Sequence, residues 1–343
     1  MHSAFVASDP VSQDSQTCTP GTCGYTARSI SSALNSVVAI NSESSDPLLE
    51  YQLGEFIASE WHEGLTIPMK AADLWARHIP RGKGWFPRWV GKNLCANHRV
   101  HTRTLHGAKL AVAPSSLDVY TSIATMGNSW DEHVVDACKS VLSDRGVFYD
   151  IGANVGYISV ELAAALMPDG SVIAFEPQPA LAKNIAISAR LNGFANLRVS
   201  QLMLGDHTGS ETLHVGSHSI HASAIAREAN SSRLPCRMTT LDSVVESGAI
   251  PPPTVMKIDV EGAELAVISG AARTIQKHRP YIIFESDVNM DRYGYTRKDI
   301  LDLLSSFCSY EYFFVTWRKS RIPLTDENLD SREYGDLMAV PAG

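Results

Sequence analysis

Two segments of this chain carry side chains of the kind and spacing that handle a small charged ligand. The first is Phe148-Tyr149-Asp150-Ile151-Gly152-Ala153-Asn154-Val155-Gly156-Tyr157, which joins an apolar run to a helix-forming one. Gly152 and Gly156 let the backbone turn tightly and approach a ligand, and Asn154 tolerates left-handed geometry. The helix start that follows offers free N–H groups and the positive end of a dipole to an anion. A dinucleotide fingerprint would read Gly-x-Gly-x-x-Gly; here the spacing is Gly-x-x-x-Gly, which suits a smaller anion such as the carboxylate of a methionine moiety. Glu176, in Phe175-Glu176-Pro177, lies 20 residues beyond Gly156, at the end of the next apolar run. A carboxylate there can accept from both hydroxyls of a ribose. Loop and acid together point to an adenosine-containing ligand. Asp206 could meet the adenine amino group, or serve as a turn residue in Gly205-Asp206-His207-Thr208-Gly209.

The second segment is Val255-Met256-Lys257-Ile258-Asp259-Val260-Glu261-Gly262-Ala263-Glu264. Asp259 and Glu261 leave a strand at the edge where α/β sheets do their chemistry. Either could instead cap the following helix or pair with Lys257. Glu264 reads as structural. Glu285, closing the next strand, is a candidate for acceptor binding. Asp259, Glu261 and Glu285 could offer oxygens to Mg²⁺, but no His/Cys spacing suggests zinc, and no metal is expected.

Positioning these residues requires short apolar strands alternating with helices. Strands are expected at 147–151, 172–175, 197–204, 255–258 and 281–284, with helices at 130–142, 156–166, 180–191, 265–275 and 299–307. Two late strands, 310–316 and 337–340, could add an antiparallel strand at or near the edge. The pattern specifies an α/β fold with a doubly wound, mostly parallel sheet covered on both faces. Residues 1–45 are Ser/Thr-rich and nearly uncharged and read as a flexible tail, with a short helix around 30–38. Residues 46–103 read as a partly helical N-terminal extension, with an amphipathic helical pattern from Asp46 to His78, in which Leu48, Leu49, Leu53, Phe56, Ile57 and Trp61 recur at helical spacing, and a loop at 80–88. Residues 104–343 form the main domain, opening on a strand at 104–112. Trp85, Phe86 and Trp89, beside Arg81, Lys83 and Arg88, either seat the extension on that domain or make a surface for a sugar or an anionic group.

The chain has 343 residues, 44% of them hydrophobic and 19% charged, enough to bury a sizeable core. Its net charge of −8 argues against a broadly cationic nucleic-acid binder. No apolar run approaches the roughly 20 residues that span a bilayer. The first ten residues lack a basic segment followed by an apolar one, so no secretory leader is expected. Cysteines 18, 23, 95, 138, 236 and 308 form no Cys-x-x-Cys pair and read as free thiols of a cytoplasmic protein, although Cys18 and Cys23 could bridge or bind metal.

Taken together, 149–156, Phe175-Glu176-Pro177, Thr240-Leu241-Asp242, 257–264 and Phe284-Glu285 resemble the FkbM family of S-adenosylmethionine-dependent methyltransferases. The resemblance runs from about Thr104 to Pro341. It implies the seven-stranded, Rossmann-like methyltransferase sheet, with the late strand pair as its reversed hairpin. It also implies S-adenosyl-L-methionine as cofactor, held by Asp150, Gly152, Asn154 and Gly156, with Glu176 on the ribose. The expected reaction is methylation of a hydroxyl on a sugar or natural-product acceptor, with a small molecule or glycan as partner and no nucleic acid. Removing the hydroxyl proton calls for a base, either Asp259 or a histidine of Gly216-Ser217-His218-Ser219-Ile220-His221-Ala222-Ser223, where His221 stands ahead of His218. Two readings compete: a dinucleotide-dependent oxidoreductase, and a non-catalytic module that retains the cofactor fold.

Overall fold

The apolar runs of the second half pair side by side as the core of one sheet. Its strands are β1 (Val147–Ile151), β2 (Ser171–Phe175), β3 (Leu197–Ser200), β4 (Val255–Ile258), β5 (Tyr281–Glu285), β6 (Tyr310–Val315), β7 (Arg321–Pro323) and β8 (Asp336–Pro341). Their spatial order is β7-β6-β8-β5-β4-β1-β2-β3. β1 to β5 run parallel to one another, and β8 slots between β5 and β6 antiparallel to both. The seven expected strands are thus joined by a three-residue edge strand, β7. Successive side chains alternate between two apolar layers, as a period of two demands. Phe148 and Val172 join the cluster on one face, and Tyr149 and Ile173 the cluster on the other. Each fully buried side chain of this size contributes roughly 1.5–3 kcal/mol.

The computed structural model describes residues 46–78, 85–216, 222–225, 231–287, 289–318, 320–331 and 335–342. The expected tail over 1–45, with Cys18 and Cys23, lies outside the described residues. Residues 44–343 form one compact unit. Helices covering the sheet or leading into it include α1 (Ile67–His78), α2 (Trp85–Leu94), α3 (Leu117–Thr125), α4 (Glu132–Lys139), α5 (Tyr157–Ala165) and α6 (Pro179–Asn192).

Several expectations are corrected. Of the helical pattern expected over 46–78, the part at Ile67–His78 is helix, but the run from Leu48 to Trp61 is not an α-helix. The Asp46 carboxylate accepts the N–H groups of Leu48 and Glu50 at 3.0 and 2.9 Å, and Tyr51 N–H donates to Val199 O at 2.8 Å. The chain therefore follows the open edge of β3, and Leu48 is buried there. Residues 85–88 are not loop but the first turn of α2, where Pro87 lacks an N–H that would have no helical partner in any case. The strand expected at 104–112 is the second half of a hairpin: Val100–Arg103 pairs with Lys109–Ala111 around a turn at Gly107. The boundary drawn at 103/104 falls inside that hairpin.

The third strand stops at Ser200. Met203–Leu204 then joins a separate four-stranded sheet with Gly209–Val215, Ala222–Ser223 and Ser232–Thr239. The helix expected over 265–275 is two, Glu264–Ser269 and Ala272–His278. The buried Asp242 carboxylate caps the second of these, accepting from Arg273 N–H at 3.0 Å and Thr274 N–H at 2.8 Å.

Candidate active site

Strand register places the chemistry. β4 lies beside β1 with Lys257 opposite Asp150, so the ammonium and the carboxylate meet inside the sheet's rim. Lys257 Nζ stands 3.6 Å from Asp150 Oδ1 and 3.1 Å from Asp259 Oδ2, and it donates to Gly152 O at 3.2 Å. Burial alone would lower the Lys257 pKa, but the two carboxylates outweigh it and the net shift is upward. The cation is locked on and ties the β1 loop to the end of β4.

Gly152 has to be glycine. Its φ is +80°, and a Cβ there would stand 1.9 Å from Asp259 O. Asn154 is left-handed at φ 53°. Its N–H donates to Glu176 Oε2 at 2.8 Å, while Gln178 N–H donates to Glu176 Oε1 at 2.9 Å. Glu176 is buried, and burial, opposed by these two bonds, lifts its pKa to about 7. Gly156, at φ +81°, caps α5 without a side chain and leaves the helix start open.

A cavity sits over this rim. Gly152, Asn154 and Glu176 form its polar wall, and Phe175, Leu202, Leu204, Leu213, Ala222 and Ala224 contribute to its apolar one. The apolar slot suits a flat heteroaromatic ring, and the Glu176 oxygens keep lone pairs for a diol. The side-chain oxygen of Asn154 is buried with no hydrogen-bond partner. The apolar slot, the buried acid and the open start of α5 fit the chemistry of an adenosine ligand with a charged tail.

A second cavity, of about 260 Å³, adjoins the first. Asn154, Asp259 and Glu261 line both. Its other walls include Trp130, Asp131, Tyr157, Glu285, Asp287 and Asn289. Asn289 Nδ2 donates to Glu261 Oε2 at 3.1 Å. Glu285 Oε2 is buried without a hydrogen-bond partner. Burial, then the carboxylates of Asp259, Asp287 and Glu261, push its pKa up to about 11, so Glu285 is a protonated donor at neutral pH. Burial and the neighbouring Asp336 and Asp259 raise Asp131 to about 6. Among the described residues, no group of three or more His, Cys, Asp or Glu side chains converges as a metal site.

The expected residues fall into three sets. Gly152, Asn154 and Glu176 line the first cavity, Asp259 and Glu261 line both, and Glu285 lines the second. Gly156 shapes the loop from behind, packed on Ile185. Asp150 is corrected: it lines neither cavity but is turned inward, accepting from Ser159 Oγ at 2.5 Å and facing Lys257. Asp206 is corrected as well. The chain has crossed into the small sheet by then, and Asp206 is exposed and pairs with His207 at 2.7 Å. His218 and His221 lie outside the described residues. Glu264 is structural, as expected: Oε1 accepts from Val260 N–H at 2.9 Å and Gly262 N–H at 3.2 Å.

Asp131, Asp287 and Asn289 were not anticipated. Asp131 falls inside the helix expected over 130–142, but α4 starts after it, and among the described residues its side chain makes no capping bond while its backbone is left-handed at φ 48°. A non-glycine residue held in that region beside a cavity is a common mark of a functional site.

A wound sheet with a reversed hairpin and a cofactor-shaped rim defines a Rossmann-like methyltransferase. Residues 150–313 match the family model of the Methyltransferase FkbM domain. That match covers just under half of the chain and carries the family's domain over β1 to β6. The chain is 29% identical over 176 residues to the hexuronic acid methyltransferase AglP of Haloferax volcanii, covering 51% of this chain and 68% of that protein. Among solved structures, methyltransferase FkbM from Methylobacillus flagellatus aligns with a TM-score of 0.41 and 17% identity, covering 66% of this chain and 54% of that one. The present chain thus spans about half the length of that structure. The O-methyltransferase TomG of Streptomyces achromogenes, solved with S-adenosylmethionine, aligns with a TM-score of 0.35 and 12% identity over 62% of this chain and 79% of that one.

Proposed function

We propose that this chain transfers a methyl group from S-adenosylmethionine to a hydroxyl of a sugar or natural-product acceptor. The observation that carries the reading is the pair of cavities meeting at Asn154, Asp259 and Glu261. One has the apolar slot and buried acid an adenosine needs. The other is lined with hydrogen-bond acceptors facing the place where a hydroxyl would stand. The AglP relative, a hexuronic acid methyltransferase by name, supports a sugar as the acceptor.

When bound, the cofactor supplies a methyl carbon activated by its sulfonium. The protein's own task is alignment, which can provide on the order of 7–11 kcal/mol in favourable cases. Glu176 fixes the ribose, and the Asn154 side chain with the start of α5 receives the amino-acid end. Asp131 accepts from the acceptor hydroxyl and takes its proton, because a carboxylate poised near neutral pH is the more effective base. Asp259, held by Lys257, accepts from a neighbouring hydroxyl of the acceptor and so orients the reacting one. Protonated Glu285 donates to another oxygen of the acceptor, while Asn289 Nδ2, donating to Glu261 Oε2 at 3.1 Å and to Asp287 Oδ2 at 2.8 Å, holds those two carboxylates in place. The four free cysteines of the described residues, Cys95, Cys138, Cys236 and Cys308, support a reducing cytoplasmic setting.

The test is calorimetry of the full chain with S-adenosylmethionine and with NAD(P), followed by methyl-labelled cofactor and a panel of glycans. Cofactor binding and labelled, base-stable methyl ether are expected. Tight NAD(P) binding without S-adenosylmethionine binding would overturn the reading, and cofactor binding without any labelled product would favour a non-catalytic module.

A further inference from the structure

α1 and α2 each bury one face and leave the other without a partner among the described residues. α1 packs through Met69, Ala72 and Ala76, and α2 through Pro87, Val90 and Gly91. On the helical wheel, Ile67 and Leu74 lie opposite the first set, and Trp85 and Trp89 opposite the second. These four are 85%, 60%, 59% and 48% exposed, high values for such large apolar side chains. Trp85 and Trp89 belong to an aromatic cluster that reaches α1. Trp75 contacts Phe86 at a ring distance of 4.9 Å, and Phe86 contacts Trp85 at 5.6 Å and stacks on Trp89 at 6.3 Å. Aromatic rings therefore bridge the two helices. Contiguous exposed apolar surface of this kind marks an interaction site.

Charge identifies the partner. The chain as a whole carries −8, yet α1 and α2 hold four basic side chains, Lys70, Arg77, Arg88 and Lys92, against one acid, Asp73. Arg77 pairs with Asp73 at 2.9 Å and Arg88 donates to Gly216 O at 2.8 Å, so Lys70 and Lys92 carry the charge of the outer face. Lys70 lies one turn from both Ile67 and Leu74, and Lys92 follows Trp89 by three residues; both lysines are exposed. Aliphatic and indole groups flanked by lysines whose stems can lie along the apolar layer match the interfacial zone of a bilayer. Nucleic acid would use the cations but give Ile67 and Leu74 nothing to bury against. A two-fold contact between copies would set this basic face against itself. We propose that the outer face of α1 and α2 docks on an anionic membrane surface. The proposal is independent of the methyl-transfer reading.

The test is co-sedimentation of the full chain with phosphatidylcholine vesicles, with and without phosphatidylglycerol. Partition onto the anionic vesicles is expected to exceed that onto phosphatidylcholine by about tenfold or more and to fall with added salt, each basic side chain near the surface contributing about fivefold. Tryptophan emission should shift to the blue on binding. Trp85→Ser with Trp89→Ser, and separately Lys70→Glu with Lys92→Glu, should each abolish partition while leaving S-adenosylmethionine affinity at the wild-type value. Equal binding to both vesicle types, no binding by the wild type, or undiminished binding by either double variant would overturn the proposal. Two other outcomes would also overturn it. Retention of single-stranded RNA without vesicle binding would assign the face to nucleic acid, and a light-scattering dimer dissociated by the tryptophan variant, without vesicle binding, would assign it to self-association.

Discussion

The backbone N–H of Asn154 donates to Glu176 Oε2 at 2.8 Å, so the loop after β1 is hydrogen-bonded to the residue that ends β2. The cofactor loop and the ribose acid are one unit rather than two independent contacts. Disturbing the acid disturbs the loop.

Glu176→Ala should weaken S-adenosylmethionine binding by about 1–3 kcal/mol, the usual cost of leaving polar groups unpaired. Calorimetry reads this directly. An unchanged dissociation constant would remove Glu176 from the site.

Cofactor affinity should depend on pH through the same residue. Burial raises the Glu176 pKa to about 7, and the ribose hydroxyls need its ionised form as acceptor. Affinity should be full above pH 7 and decline as pH falls through 7. For the protein without cofactor the sign is opposite. The folded state holds a proton that the unfolded chain has released, so this group's contribution to stability is greatest below about pH 4.3 and is lost as pH rises toward 7. Binding titrations from pH 5.5 to 8.5 should show the slope in the wild type and a flat line in Glu176→Gln.

Lys257→Met should destabilise the fold by about 3–5 kcal/mol, because it strands Asp150 in the interior without its cation. Adding Asp150→Asn should recover much of the loss. Urea denaturation of the single and double variants measures both, and strictly additive losses would show that the pair does not interact.

Gly152→Ala should cost about 1–3 kcal/mol from overpacking against Asp259 O, with additional strain at its positive φ. Thermal unfolding and cofactor affinity should both suffer. Wild-type values for both would mean that the loop relaxes freely.

Asp131→Asn should lower turnover by roughly 10²–10⁴-fold and remove an acid limb near pH 6 from the rate profile. Cofactor affinity should remain near wild type. Asp259→Asn should also lower turnover but leave that limb in place. If the limb follows Asp259 instead, the two roles are exchanged.

Much of this was legible from residue types alone. Val147–Ile151 and Val255–Ile258 are apolar but for Asp150 and Lys257, which face each other across the two strands, because both faces of the sheet are covered, and such runs declare themselves. Glu176 was legible because its distance from Gly156 follows from the length of one helix and one strand. Leu48 to Trp61 misled because an apolar spacing that suits a helix also suits a chain lying along a sheet edge, and Asp46 decided between them by a local turn. The small sheet over 203–239 was missed because its strands are half-exposed and polar, without the uniform signal of the central ones. Asp131 was hidden because the helical pattern read over 130–142 swallowed it, whereas the helix starts at Glu132. Only the tertiary arrangement brings it beside Asp259, and no local pattern reports a neighbour more than a hundred residues away.

The strand β8 fills a slot between β5 and β6 yet follows both in the chain. While a ribosome is still extending the polypeptide, those two strands must therefore stand apart, each with a bare row of peptide groups. The nascent chain passes through an interval in which the half-built sheet can recruit a foreign strand, and that interval ends only when 336–341 clears the exit tunnel.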